Sequence, residues 1–208
     1  MSKPVIINLS DTIGIISKVD YIKSDVGGFG IFYPIIIKHA QYIKAIEEHG
    51  RLCSLLIPKS IEMGIPVRGA TSIGEFEMYN NSFVGKAIDE VASWYQTADW
   101  IGVHITPTAL MDLNISPKYW KLYDLPLGNS KTFQTYCVDW TTEWGNDINN
   151  LTAREVLKIY NLLAAFQEMG PLTPDIASKY INTCNYYFKI HDLSWKDWWK
   201  TRLAENSL

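Results

Sequence analysis

Asp11 is the residue whose type and setting first suggest chemistry. It stands in Ser10-Asp11-Thr12, a polar step between two β-branched runs, Val5-Ile6-Ile7-Asn8-Leu9 and Ile13-Gly14-Ile15-Ile16. Such runs favour strands and the step favours a tight turn, so a hairpin with Asp11 at its tip is expected. A carboxylate exposed on a rigid turn is an oxygen ligand suited to Mg2+ or Mn2+. It can equally bond neighbouring backbone amides, as Asp in turns commonly does. Arg68, in Val67-Arg68-Gly69, could reach a phosphate or form an ion pair with Glu75 or Glu90. Glu75 and Glu77 alternate with Phe76, the pattern of a solvated strand face. Asp139 would offer a second carboxylate if its strand folded beside Asp11. His39, His49, His104 and His191 are scattered, and none is assigned a role. Cys53, Cys137 and Cys184 are odd in number and lack ligand spacing, which points to buried thiols rather than a disulfide or zinc site.

The elements that must carry these residues follow from periodicity. Tyr33, Ile36, Ile37, Ala40 and Ile43 recur at helical spacing between Phe29 and Glu48, with Pro34 in the first turn and Gly50 as the stop. A second, shorter helix is expected over 58–63. The segment from Gly64 to Phe76, rich in Gly and β-branched residues, suits a central strand turning into a hairpin. A helix over 83–95 and a strand from Trp100 to Thr106 follow, giving the order β-β-α-β-β-α-β. Beyond Pro107 the texture turns aromatic and turn-rich, with one strand expected at 135–140. Thr152-Ala153-Arg154-Glu155 reads as a capping box for a helix presenting Val156, Tyr160, Leu163 and Ala164. Thr173-Pro174 opens another presenting Ile176, Tyr180, Ile181 and Cys184, and Ser194 caps a short last one. Trp195, Trp198, Trp199 and Leu203 form an aromatic stripe expected to dock on the domain's own core or on an oligomer partner.

The chain has 208 residues, 47% hydrophobic and 20% charged, enough to bury one core. One domain is therefore expected, a core over 1–110 with an extension over 111–208. A net charge of −3 with dispersed Lys and Arg gives no footprint for nucleic acid. The longest apolar stretch, 31–37, is too short to span a membrane. The first residues carry no signal-peptide pattern, so a cytoplasmic protein is expected.

Three segments together resemble one family. Leu9-Ser10-Asp11-Thr12-Ile13 is similar to an FSDTI turn, Gly64 to Glu75 to a GIPVRGAISIGE strand, and Phe83-Val84-Gly85-Lys86-Ala87-Ile88-Asp89-Glu90 to an FxGxAxxEA helix. Lys179-Tyr180-Ile181-Asn182-Thr183 resembles a C-terminal helix frequent in the same proteins. On these residues the chain resembles a divergent class III nucleotidyl cyclase, beside the bacterial pyrimidine cyclases of anti-phage signalling. The resemblance implies an α+β fold with a ferredoxin-like antiparallel sheet, helices on one face, and a C-terminal helical appendage. It implies cyclisation of a nucleoside triphosphate in a homodimer, with two metal ions on a pair of Asp residues. Asp11 would be a metal ligand, Ser10, Thr12 and Gly74 would contact nucleotide, and Asp89 and Arg68 would serve catalysis. Asp11 can also be matched to the first-strand motif of the family, and in either register one metal-binding Asp is unassigned. Asp89 and Ser93 stand where active relatives carry Asn and Arg, and Ile7 where a base-selecting Lys is usual. A nucleotide-binding pseudo-cyclase or scaffold, or half of a split enzyme, therefore stands beside the active reading.

Overall fold

A computed structural model describes residues 4–9, 12–17, 32–79, 82–112, 118–144 and 154–196. Strands β1 (Val5–Leu9) and β2 (Thr12–Ile16) pair antiparallel, with Leu9 opposite Thr12 and Ile6 opposite Ile15. The expected hairpin thus forms. Ser10 and Asp11, which join its strands in sequence, lie outside the described residues.

Helix α1 runs unbroken from Phe32 to Glu62, where two pieces with a stop at Gly50 were expected. Ile46, Cys53, Ile57 and Ile61 recur along one buried stripe of it. Burying such side chains stabilises by about 1.5–3 kcal/mol each, which offsets the roughly 3 kcal/mol that an interior proline such as Pro58 costs. The helix ends where Gly64 turns left-handed at φ 73. Gly64 N–H then donates to Ile61 O at 3.0 Å and Ile65 N–H to Ser60 O at 2.9 Å, a Schellman closure.

The chain continues through β3 (Gly69–Thr71), β4 (Glu77–Tyr79), β5 (Ser82–Val84), α2 (Lys86–Thr97), β6 (Val103–Ile105) and α3 (Pro107–Asp112). After these come β7 (Trp120–Leu127), β8 (Lys131–Val138), α4 (Arg154–Glu168) and α5 (Pro174–Ile190). The fold is α+β. Its main sheet is mixed, in the order β3-β6-β8-β7: β3 and β6 are parallel and the other neighbours antiparallel. The hairpins β1-β2 and β4-β5 form separate two-stranded sheets. The mainly antiparallel sheet that was expected is met in part: two of the three strand pairs of the main sheet are antiparallel, one is parallel, and the two hairpins stand apart from it among the described residues.

Half of the main sheet comes from beyond residue 110, and β7 had no counterpart in the sequence reading. Pro126 and its turn-rich surroundings argued against a strand. The structure resolves this by placing β7 at the sheet edge, where a residue without N–H is tolerated. The Pro126 carbonyl accepts Asp99 N–H at 2.9 Å.

The core centres on Trp100, Trp140 and Tyr186, all fully buried. Trp100 and Tyr186 meet edge to face with centroids 5.0 Å apart, and Tyr186 Oη donates to Val138 O at 2.9 Å. All three cysteines are free and buried, and burial pushes the Cys53 and Cys184 thiols up to about 12. On α4, Lys158, Ile159, Leu162 and Phe166 are buried; of the expected face Leu163 packs partly buried against the core, while Tyr160 is exposed. Phe166 stacks on Tyr180 of α5 at 4.2 Å. On α5, Cys184 is buried as expected, but Ile176 and Ile181 face outward. Trp195 docks on the chain's own core, its ring 4.7 Å from Phe188 and its Nε1–H donating to Asn185 Oδ1 at 2.8 Å. Thr152, Trp198, Trp199 and Leu203 lie outside the described residues. No helix among the described residues is long and apolar enough to cross a membrane.

Candidate functional site

The residues singled out for chemistry distribute over three places. Thr12 opens β2 beside the Ser10-Asp11 step, and its backbone pairs with Leu9. The hairpin meets the rest of the molecule through Ile15, which packs against the core, and through Ser17, whose Oγ is 3.1 Å from His49 Nε2 on α1. Burial lowers the pKa of His49 from 6.5 to about 4, with Glu48 opposing, so the ring is neutral at pH 7.

Gly74 and Asp89 lie near the start of α2. A β-carbon at Gly74 would lie 3.3 Å from that of Ala87, so the turn after β3 presses directly on the helix. Gly85, at φ 145, is the N-cap. A β-carbon there would lie 2.5 Å from Glu75 O, so only glycine lets the β4-β5 hairpin close against the helix start. Asp89 is exposed, and its carbonyl accepts Ser93 Oγ–H at 2.8 Å. The next residue, Glu90, turns inward. Ser72 Oγ–H donates to its Oε2 at 2.5 Å and Thr108 N–H to its Oε1 at 3.0 Å. Burial pushes the Glu90 carboxyl up, but the hydrogen bonds from Ser72 and Thr108 outweigh it and hold the pKa below the usual carboxylate value. One side chain thus ties the turn after β3 to the turn after β6, at the carboxyl ends of the two parallel strands.

Arg68 is at the opposite end of β3. Its guanidinium carbon sits 5.9 Å from the centroid of Tyr95, over the ring face. The ion pair expected with Glu75 or Glu90 is not present among the described residues, because Glu90 is turned toward Ser72 and Thr108. Tyr95 follows Asp89 by six residues on α2, about 9 Å along the axis at 1.5 Å per residue. Asp89 and Arg68 are therefore not drawn into one cluster.

Asp139 does not approach the β1-β2 hairpin through any strand pairing. Its Oδ1 accepts the Thr141 and Thr142 hydroxyls at 3.0 and 3.2 Å, and its Oδ2 is 3.6 Å from Lys121 Nζ. It organises the turn after β8. Among the described residues no three His, Cys, Asp or Glu side chains converge as a metal site, and Asp11 lies outside them.

Sequence reasoning missed Tyr95 beneath Arg68, Glu90 as the acceptor joining Ser72 to Thr108, and the Ser17–His49 contact. Ser72 and Thr108 meet at Glu90 only because β3 and β6 are neighbours. No family model, curated protein or solved structure matches the chain.

Proposed function

We propose that the chain is a cyclase-like nucleotide-signalling domain that binds a nucleoside triphosphate with Mg2+ or Mn2+ and works in the cytoplasm as a homodimer. The reading takes the fold as a divergent, ferredoxin-like member of the class III nucleotidyl cyclases. The element order β1-β2-α1-β3, then α2-β6, supports it. The observation that carries it is Arg68: exposed, its guanidinium carbon 5.9 Å from the centroid of the Tyr95 ring, and without a carboxylate partner among the described residues. A guanidinium over an aromatic face, with no carboxylate to satisfy it, keeps N–H donors for a phosphate. In the active form the 3′-oxygen would lose its proton and bond to the α-phosphorus while the bond from that phosphorus to pyrophosphate breaks.

A second reading, binding without cyclisation, is favoured by the separation of Asp89 from Arg68 along α2. The two separate in one experiment: incubation with each of the four ribonucleoside triphosphates and Mn2+, followed by mass spectrometry for cyclic monophosphate and by thermal shift. Cyclic product that disappears in Asp11→Ala supports the enzyme. A thermal shift that Arg68→Ala weakens, without product, supports the binding form. Neither product nor shift with any nucleotide rules out both.

A further inference from the structure

β7 is one edge of the main sheet, and its outer side is open from Trp120 to Asp124. Asp99 N–H crosses that edge to Pro126 O at 2.9 Å, so Pro126 turns its backbone away from β8. Backbone groups alternate in direction along an antiparallel strand, so Trp120, Leu122 and Asp124 turn theirs outward as well. Among the described residues nothing pairs with the backbone of these three on that side. Such an edge is a template for another strand. The usual guards leave it uncovered: Pro126 and the Ala98–Leu127 bridge close only the far end, and Lys121 leans to Asp139 Oδ2 at 3.6 Å.

We propose that two copies of the chain pair antiparallel along Trp120–Asp124, each Leu122 opposite its counterpart on a two-fold axis. The three outward-facing residues are spaced evenly about Leu122, so in this register every outward N–H meets a C=O of the other copy. Centring the pairing on Tyr123 instead would set Trp120 against Pro126, which has no N–H and whose carbonyl is already taken. Leu122 is 54% exposed, an apolar side chain that its counterpart would cover. Exposed Asp124 of one copy comes diagonally toward exposed Lys118 of the other, so the ends of the contact carry opposite charge. A second copy therefore matches this edge in backbone groups, apolar centre and charge. The surface stands on backbone geometry and not on the nucleotide reading, though it gives the homodimer of that reading its contact.

Sedimentation of the full chain without nucleotide, over about a hundredfold range of concentration, tests the pairing. Wild type should dimerise reversibly, and the Leu122 and Asp124 amides should exchange more slowly as the dimer fills, while those of α5 stay unchanged. Leu122→Lys and Leu122→Glu each set like charges opposite one another and should weaken the dimer by about tenfold or more, with unchanged far-UV circular dichroism. Mixing the two variants should restore association, because only a residue that faces itself is repaired in this way. A wild-type chain that stays monomeric overturns the proposal. So does a dimer whose Leu122 and Asp124 amides stay unprotected, or one that neither charge weakens. Variants that fail to associate when mixed overturn the register. Nucleotide binding, read separately by thermal shift, decides the functional reading. A dimer that binds no nucleotide leaves the surface standing, and a monomer that binds one overturns the surface and the homodimer but not the binding.

Discussion

Gly50 of α1 and Trp120 of β7 are built against each other. The indole Nε1–H donates to the Ile46 carbonyl at 3.0 Å, and a β-carbon at residue 50 would lie 2.5 Å from that same nitrogen. A glycine that looks like a helix stop is instead the gap through which the edge strand reaches the helix backbone.

Gly50→Ala should therefore destabilise the protein. Alanine gains about 1 kcal/mol of helix propensity over glycine, but overpacking against Trp120 and Tyr119 costs about 1–3 kcal/mol. A urea midpoint below that of wild type, with the slope unchanged, is the expected outcome. A raised midpoint would mean that Trp120 moves aside at no cost.

Thr183 is fully buried on α5 and joins that helix to the loop before β6. Its Oγ1 accepts Ile101 N–H at 2.9 Å and donates to Lys179 O at 2.7 Å. Thr183→Val keeps the volume but leaves the Ile101 amide unsatisfied, a cost of about 1–3 kcal/mol. Thr183→Ser should lose less, and chemical denaturation of the two variants side by side checks the order.

Ser130 sits at φ 58 in the turn between β7 and β8. A non-glycine residue in that region costs about 1 kcal/mol. Ser130→Gly should raise stability by about 0.5–1 kcal/mol, read as a higher thermal midpoint. A fall would show that the serine side chain makes a compensating contact.

Stability should decline as pH drops from 6.5 toward 4. Burial lowers both His49 and His104 from 6.5 to about 4, opposed by Glu48 at the first and by the Gly69 backbone at the second. Below pH 6.5 the unfolded chain takes up protons that the folded chain refuses, so each histidine removes about 1.4 kcal/mol per pH unit until its folded pKa is reached. Glu48, held low mainly by its hydrogen bond from Arg51, and Glu90 add to the loss only below about 4.5, their ordinary value. Denaturation midpoints at pH 7, 6 and 5 measure the slope. His104→Phe should remove about half of it, and an unchanged slope would place protonatable space around the ring.

Local features were legible because they depend on neighbours in sequence. The β1-β2 hairpin was readable from two β-branched runs around a polar step, and the start of α5 from Thr173-Pro174. The buried fate of Cys53, Cys137 and Cys184 followed from their spacing. β7 was not legible, because Pro126 contradicts a strand unless the strand lies at an edge, and edge position is decided by which strands pair. On α4 the expected face was right at Leu163 and wrong at Tyr160, which is exposed while Phe166 stacks on Tyr180 of α5.

Sequence alone determined the α+β class and the pairing of β1 with β2. Tertiary structure decided which side chains stand together. Glu90 joined Ser72 and Thr108, Arg68 joined Tyr95, and Ser17 joined His49. The reason is physical: helix and strand periodicity are set within a few residues, whereas convergence of side chains is set by the order in which distant strands and helices pack.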